Sequence, residues 1–200
     1  THAPDEASRS HAAQILAAAR RFRATLDDIA GAGQLLAGDV EPRPAATTAR
    51  DVLRLAAKGA LERAGSAVDL IVRDRTGGGE SEIDPDLTAE ALRRLVVNGF
   101  QHGAAPVTVT ASLEDDGALS IEVRDSGTAF DLRAVDPETP LDGAPPQSGR
   151  GLGLGLGVVQ ACCAAMGGRF EIARSEAGGA VARIRIPGAA AVAEDLRAIA

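Results

Sequence analysis

The chain has 200 residues, enough for one compact domain or two small ones. Hydrophobic residues make up 45% and charged residues 24%, a globular composition that excludes a wholly disordered chain. The net charge of -7 argues against an extended surface for nucleic-acid phosphates, and four Phe without Trp or Tyr leave little material for base stacking. We therefore expect no nucleic-acid partner.

The sequence also argues against a membrane segment and a disulfide framework. No apolar run reaches the roughly 18 residues that cross a bilayer, and no signal peptide opens the chain. The two cysteines, Cys162 and Cys163, are adjacent, which suits reduced thiols, and with three scattered histidines they form no metal-ligand spacing. We expect a cytoplasmic location with no membrane contact within this segment. Because the chain begins at Thr1, we also expect it to be part of a longer protein.

The first 66 residues carry two helical patterns. Apolar residues recur in steps of four and three from Ile15 to Leu36 and again from Leu53 to Ala64. The proline-rich stretch at 41–44 separates them, because proline cannot continue a helix. This predicts an antiparallel helical hairpin over 1–66. Such a hairpin by itself leaves most of its apolar face exposed to water. Either two copies pair into a four-helix bundle, which we favour, or the hairpin docks on the rest of its own chain.

From residue 67 the apolar period changes, and the pattern predicts an α+β domain over 67–187. Residues 130–148 contain four prolines and little periodicity, which indicates a lid or loop. Residues 188–200 are predicted to form a C-terminal helical tail. The predicted elements are a hairpin of extended segments at 68–72 and 82–83 (or a helix continued through Ile71), a helix from Pro85 or Asp86 to Gln101, strands at 107–111 and 119–123, a helix to Met166, and strands at 169–173 and 181–186.

A glycine run is the most conspicuous motif. Glycine occupies every odd position from 149 to 157, so no register fits the dinucleotide pattern G-x-G-x-x-G. Leucine at 152, 154 and 156 is not linker composition. The run precedes a helix start, where free amides and the helix dipole favour anionic phosphate. The run therefore predicts a phosphate-binding site.

Two further features are weak by themselves. Asp125 and Gly127 directly follow a predicted strand, where a carboxylate can accept a hydrogen bond from an exocyclic amine; the same residues also form ordinary turns. Asn98 lies near the end of a predicted helix, and its carbonyl suits Mg²⁺ as a hard oxygen ligand. Asparagine at that place is more often a hydrogen bonder at a helix end.

In this order, the three features resemble the catalytic ATP-binding domain of sensor histidine kinases. That domain belongs to a superfamily shared with type II topoisomerases, MutL and heat-shock chaperone ATPases. The stretch 92–102 is similar to the N box, 125–129 matches D-x-G-x-G, and 151–156 matches G-x-G-L-G-L. The resemblance covers about 67–187 and implies a two-layer α/β sandwich that binds ATP and Mg²⁺.

The resemblance also implies roles for individual residues. Asn98 would hold Mg²⁺, and Asp125 would receive the adenine amino group. Backbone amides of the glycine run would wrap the phosphates, with Arg150 at the outer phosphate and His102 on the phosphate side. The implied ATP-binding residues are Asn98, His102, Asp125, Gly127, Arg150, Gly151, Gly153, Leu154 and Gly155.

Four positions depart from the family pattern. Ala129 replaces the second glycine of the adenine-side motif, Gln101 replaces a common lysine, and Ala180 a frequent threonine. Arg94 stands where kinases often have Asn and the hydrolases have a water-activating Glu. ATP hydrolysis therefore has no obvious base.

The predicted hairpin resembles, in architecture alone, the dimerisation and phosphotransfer domain that precedes such catalytic domains. The usual H-E-x-x-x-P-L box is absent, and alignment places Arg20 at the phosphoacceptor position. His11 is the one histidine inside the first predicted helix, where it flanks the apolar seam. It is the candidate phosphoacceptor, and a solvated surface histidine is the alternative.

Together these inferences indicate a two-component histidine kinase core. Such a core would bind Mg-ATP and transfer the γ-phosphate to a histidine, for relay to the receiver domain of a response regulator, and would act as a homodimer. The missing acceptor box favours an alternative, a degenerate, noncatalytic docking or phosphotransfer module. The predicted hairpin disfavours a third interpretation, an anti-sigma-type serine kinase.

Overall fold

A computed structural model describes residues 40–64, 69–127 and 154–188, together with separate residues between 11 and 38. The described residues between 11 and 38 are called the N-terminal segment below. Those of them up to residue 35 are helical. The other elements are β1 (Ala45–Thr48), α1 (Ala49–Ala64), β2 (Leu70–Asp74), β3 (Glu80–Ile83), α2 (Pro85–His102), β4 (Val107–Leu113), β5 (Leu119–Arg124), α3 (Leu154–Ala165), β6 (Arg169–Arg174) and β7 (Ala180–Ile186).

A five-stranded sheet in the order β2-β4-β5-β7-β6 forms one layer of the domain. β2 runs parallel to β4, and the other neighbours are antiparallel. Alternate residues of the strands face one side, so Ala111, Ile121 and Ile184 align across β4, β5 and β7 and are fully buried. Side chains of the three helices cover this face. The α+β two-layer fold predicted from the sequence is confirmed.

The second helix, α2, lies at the centre of the helical layer, against α1 and α3. It begins where the sequence supplies a cap: Asp84 Oδ1 accepts hydrogen bonds from the backbone N–H groups of Asp86 and Leu87, at 2.9 Å each. Pro85 occupies the first turn, where its missing N–H costs nothing. Leu92 and Leu95 then face the core. The packed core fixes the direction in which the C-terminal half of α2 extends.

The predicted hairpin between 68–72 and 82–83 is wrong, as is the alternative of a helix continued through Ile71. β2 pairs in parallel with β4, with Leu70 opposite Val107. β3 instead pairs antiparallel with β1, with Ala45 opposite Ile83. Periodicity identifies a buried face but not the partner strand. The short β1, without alternation, was included in the following helix.

The second helix of the predicted hairpin belongs to the sheet domain. Val52, Leu53, Ala56 and Ala60 of α1 are buried in the common core. The β1–β3 ladder holds the start of α1 on the same domain. The boundary predicted between 66 and 67 therefore separates elements that pack together, because the seam of α1 is already covered by its own chain. For this helix, the docking alternative describes the packing.

The N-terminal segment contrasts with α1. Its Ile15 is 70% exposed, Phe22 66% and Leu26 49%. Within the described part of the chain, no helix is both long and apolar enough to span a membrane. The predicted lid at 130–148 lies outside the described residues, as does the predicted tail beyond residue 188.

Candidate functional site

Asp125 lies just beyond the end of β5, with its carboxylate buried. Its Oδ1 accepts a hydrogen bond from Gly127 N at 2.7 Å, and its Oδ2 accepts one from Ala180 N at 3.0 Å. Its own N–H donates to Ala180 O at 3.2 Å. The aspartate therefore ties the end of β5 to the start of β7 and has a fixed orientation.

Three glycines border the Asp125 side chain. A Cβ added at Gly103 would lie 2.4 Å from Asp125 Cγ, and one at Gly127 would lie 2.9 Å from Asp125 Oδ1. A Cβ at Gly179 would lie 2.4 Å from the Asp125 carbonyl oxygen and 2.7 Å from Oδ1. These positions therefore have no room for a side chain. Backbone alone encloses the carboxylate on these sides.

Asn98 lies near the C-terminal end of α2, where it meets the first turn of α3. A Cβ added at Gly155 would lie 3.3 Å from Asn98 Oδ1 and 3.5 Å from Nδ2. Gly155 therefore lets the helix start approach the asparagine amide. The first turn of α3 has backbone N–H groups without partners inside the helix, and it contains no acidic residue. The Asn98 amide and the first turn of α3 therefore lie side by side.

The remaining predicted site residues divide into two groups. His102 ends α2, one turn beyond Asn98 on the same helix face, and is exposed. Arg150, Gly151 and Gly153 lie outside the described residues, as does the side chain of Leu154. The structure therefore gathers Asn98, His102, Asp125, Gly127 and Gly155 around the last turns of α2.

His11 belongs to the N-terminal segment, where it is helical and exposed. No group of three His, Cys, Asp or Glu side chains suited to a metal occurs among the described residues.

Comparison with known proteins identifies the family. Residues 83–190 match the family described as "Histidine kinase-, DNA gyrase B-, and HSP90-like ATPase". The chain belongs to this ATPase family. The match spans α2, the end of β5 and the start of α3, and so includes the site described above.

The curated relatives of this ATPase domain include sensor histidine kinases. "Sensor histidine kinase component HK1" of Mycobacterium tuberculosis is 36% identical over 140 residues, which cover 68% of the chain and 76% of that protein. "Probable sensor histidine kinase HK" of another strain of the same species is also 36% identical over 140 residues, but the chain spans only 34% of its length.

A solved structure supports the fold. "ShkA full-length in complex with AMPPNP" matches 94% of the chain and 40% of that chain, with a TM-score of 0.70 and 21% identity. At this identity, the likeness concerns the arrangement of helices and strands alone.

A partly buried charge cluster lies on α2, one to two turns before Asn98. The Arg94 side chain is 6% exposed, and its Nε donates to Glu90 Oε1 at 2.7 Å. Arg93 Nε donates to Glu90 Oε2, also at 2.7 Å. Burial raises the pKa of Glu90, but the hydrogen bonds and charges of the two arginines outweigh it and hold that pKa below its usual 4.5. The Arg94 side chain is thus held toward Glu90, which lies one turn earlier on α2.

The family pattern marks Arg94 as a departure, but the sequence alone did not identify Glu90 as its partner. The i, i+4 spacing of Glu90 and Arg94 was the available signal. The cluster also lies near α3: burial, and then the charge of Glu90, raises the pKa of Cys162 to about 12. The buried Cys163 has its pKa raised to about 12 as well, mainly by burial. Neither thiol has the character of a nucleophile.

The two helices of the site run in opposite directions. Asn98 meets Gly155 at one end of the α2–α3 pair. At the other end, the Thr88 hydroxyl lies 2.6 Å from the Asp84 carbonyl oxygen and 3.4 Å from Met166 Sδ. The pair is therefore polar at its site end and closed by the core at its far end.

Proposed function

We propose that this chain is the ATP-binding catalytic part of a sensor histidine kinase. It binds Mg-ATP beside the last turns of α2 and transfers the γ-phosphate to a histidine, for relay to the receiver domain of a response regulator. The observation that carries the proposal is the convergence of a glycine-bordered aspartate with Asn98 and the start of α3. The family and its kinase relatives support it, as does the AMPPNP complex of a structural neighbour.

Asp125 provides the adenine contact in this proposal. Each carboxylate oxygen accepts one backbone hydrogen bond, whereas an ionised carboxylate has about four acceptor positions. Acceptor capacity therefore remains for an exocyclic amino group. Because the backbone at Gly103 and Gly127 packs directly against this carboxylate, an adenine ring would reach it from a side that these glycines do not cover.

The start of α3 provides the phosphate contacts. Its free N–H groups and the positive end of the helix dipole attract phosphate oxygens. Gly151, Gly153, Leu154 and Gly155 supply the amides, with Arg150 and His102 on the phosphate side. The hard carboxamide oxygen of Asn98 fits Mg²⁺, with phosphate oxygens and water as the remaining ligands. When bound, the ion neutralises phosphate charge.

The cluster of Glu90 with Arg93 and Arg94 favours phosphoryl transfer over hydrolysis. A hydrolase of this family would place a water-activating carboxylate at position 94, but here the position carries a guanidinium. Glu90 accepts hydrogen bonds from two arginines, which makes it a poor base. The chemistry that remains is positioning and charge stabilisation of the transferred group.

The N-terminal segment provides the acceptor side of the proposal. Its exposed apolar residues include Ile15, Phe22 and Leu26, which fit an interface with a second copy in a homodimer. His11 is the candidate phosphoacceptor. We expect His11→Ala to abolish acid-labile phosphorylation of the chain. Labelling that persists in this variant would reject His11.

The absence of the usual acceptor box in the sequence favours one alternative, a noncatalytic docking or phosphotransfer module of the same fold. Calorimetric titration with a nonhydrolysable ATP analogue, with and without magnesium, separates the two. Kinase function requires magnesium-dependent binding. A folded protein that binds nothing at millimolar ligand would refute the kinase proposal.

The adenine contact is best tested by changing the ligand. Asp125→Asn turns an amide donor toward the N–H of Gly127 or Ala180, and so disturbs the fold as well as the contact. We expect an analogue whose purine lacks the 6-amino group to bind at least about tenfold more weakly. Equal affinities would reject the role of Asp125. Asp115→Asn, on the exposed β4–β5 turn, is the matched variant and should leave both affinities unchanged.

A further inference from the structure

The face of the sheet opposite the helices is polar and open. One row across it places Arg73 of β2, Thr110 of β4, Glu122 of β5 and Arg183 of β7 side by side in register. Neighbouring strands lie about 4.8 Å apart, so the backbones that carry the two arginines are separated by roughly 14 Å. Long cationic side chains therefore stand on both sides of the two central strands.

Small hydroxyl side chains form the floor between these arginines. Thr108, Thr110 and Ser112 of β4 lie beside Ser120 of β5, all half-buried. With the arginines, they enclose a groove of about 600 Å³ that contains no aromatic residue. A groove without stacking side chains is poorly suited to nucleic-acid bases.

Positive charge in the groove exceeds its negative charge. Arg124 and Arg183 share one carboxylate, Glu122, at 3.0 and 2.8 Å. The other carboxylate, Glu114, bonds to Arg185.

Arg73 and Arg75 are exposed, and within the described part of the chain neither has a hydrogen-bond or ion-pair partner for its guanidinium. A chain with a net charge of -7 thus concentrates unpaired cations on one face of its sheet.

We propose that this groove binds an extended, acidic segment of a partner protein. Carboxylates of the segment pair with the unpaired Arg73 and Arg75 of β2. Further carboxylates bond to the remaining guanidinium donors of Arg124 on β5 and Arg183 on β7, which share Glu122. The floor hydroxyls supply hydrogen bonds. Guanidinium groups recognise carboxylates in a two-pronged geometry, which gives such a wall specificity. The groove lies on the sheet face away from Asn98 and the start of α3, so its occupant and a nucleotide would contact different surfaces.

Fluorescence anisotropy with a labelled peptide of alternating Glu and Ser tests the proposal, using the full chain at low salt. We expect Arg73→Ser/Arg75→Ser to weaken binding about tenfold, because two carboxylate contacts are lost. The matched variant is Arg54→Ser/Lys58→Ser, which removes the same charge from the exposed side of α1. It should change the affinity less than about twofold, since α1 lies on the other face of the sheet.

Three results would overturn the proposal. The first is an equal loss in both double variants, which would indicate attraction by net charge alone. The second is binding of a Gln-Ser peptide as tightly as the Glu-Ser peptide. The third is a single-stranded oligonucleotide of equal charge that binds as tightly, with the same dependence on Arg73 and Arg75. Thermal unfolding of each variant checks that the fold is retained.

Discussion

Two helical regions of this chain have the same apolar periodicity and opposite environments. In α1, Leu53 is 6% exposed and Ala60 is fully buried against the sheet domain. In the N-terminal segment, Ile15 is 70% exposed and Phe22 66%. A period of 3.6 therefore establishes that a helix has an apolar face, but not which surface covers it. The two patterns are alike, but among the described residues α1 buries its apolar face in the core, whereas in the N-terminal segment Leu35 packs against the core and Ile15 and Phe22 are exposed.

Contacts outside the apolar face of α1 hold this helix on the sheet domain. The β1–β3 ladder fixes the chain before α1, and Arg43 N donates to Asp84 Oδ2 at 2.7 Å. Within the helix, Gly59 lets the Arg93 side chain of α2 cross closely. These contacts join residues 32 to 41 positions apart, so local sequence patterns do not predict them.

The largest expected effect compares the same substitution in both regions. Leu53→Ala should lower the free energy of unfolding by about 2–4 kcal/mol, because it opens a cavity in the core. Leu26→Ala, at a half-exposed site, should change it by less than about 0.5 kcal/mol. Urea unfolding at low protein concentration measures both. Equal losses would mean that the N-terminal segment is packed as firmly as α1.

Repeating the Leu26→Ala measurement at high protein concentration sharpens the comparison. If two copies pair through the N-terminal segment, stability rises with concentration, and Leu26→Ala reduces that rise. The loss caused by Leu53→Ala should not depend on concentration. Light scattering of the same samples reports the association directly.

A smaller effect is expected at the polar contact beside α1. Glu90 holds Arg93 over Gly59 and also pairs with the buried Arg94. Glu90→Gln removes this charge, so we expect the free energy of unfolding to fall by about 1–3 kcal/mol near neutral pH. The folded-state pKa of Glu90 is depressed. The Glu90 carboxylate therefore contributes fully to the stability of the fold above its usual pKa of 4.5, and this contribution is lost as the pH falls through the lower pKa of the folded state.

Urea unfolding across this pH range measures the contribution of the carboxylate. The difference in free energy of unfolding between the natural chain and Glu90→Gln should become smaller below pH 4.5. A gap that stays constant down to strongly acidic pH would show that the carboxylate charge contributes nothing.

The smallest effect concerns two helical glycines. Alanine favours a helix over glycine by about 1 kcal/mol. At Gly33 an added Cβ meets nothing within 4 Å, so Gly33→Ala should raise helix content by circular dichroism. At Gly59 the Cβ would lie 2.7 Å from Arg93 Cδ, which offsets the gain. We expect no stabilisation from Gly59→Ala, and a clear increase would mean that Arg93 moves aside freely.

Local signals predicted much of the sheet. The β4–β5 hairpin was confirmed, with Gly117 at φ +78° in its turn, a value that glycine adopts readily. The closing strands β6 and β7 and the extent of α2 were also predicted, because alternation and the Asp84–Pro85 start are local features. The partners of β2 and β3 were not, since β1 has four residues without alternation and its pairing is non-local.

The candidate site was predictable to a similar extent. Asn98, Asp125 and the glycine run were found from residue type and order. Gly127 was identified with Asp125, but Gly103 and Gly179 were not, because they lie on separate elements and meet Asp125 only in the folded chain. Arg94 was noted as a departure, but its burial beside Glu90 depends on the packing of α2.

Met166 closes the end of the α2–α3 pair that lies away from Asn98, beside the Thr88 hydroxyl. It is the only methionine in the sequence. Isotope labelling of methionine methyl groups would therefore give one NMR resonance, with no assignment problem. Its chemical shift would report whether a ligand bound at one end of the helix pair moves the other end, which makes the native chain its own probe of helix displacement.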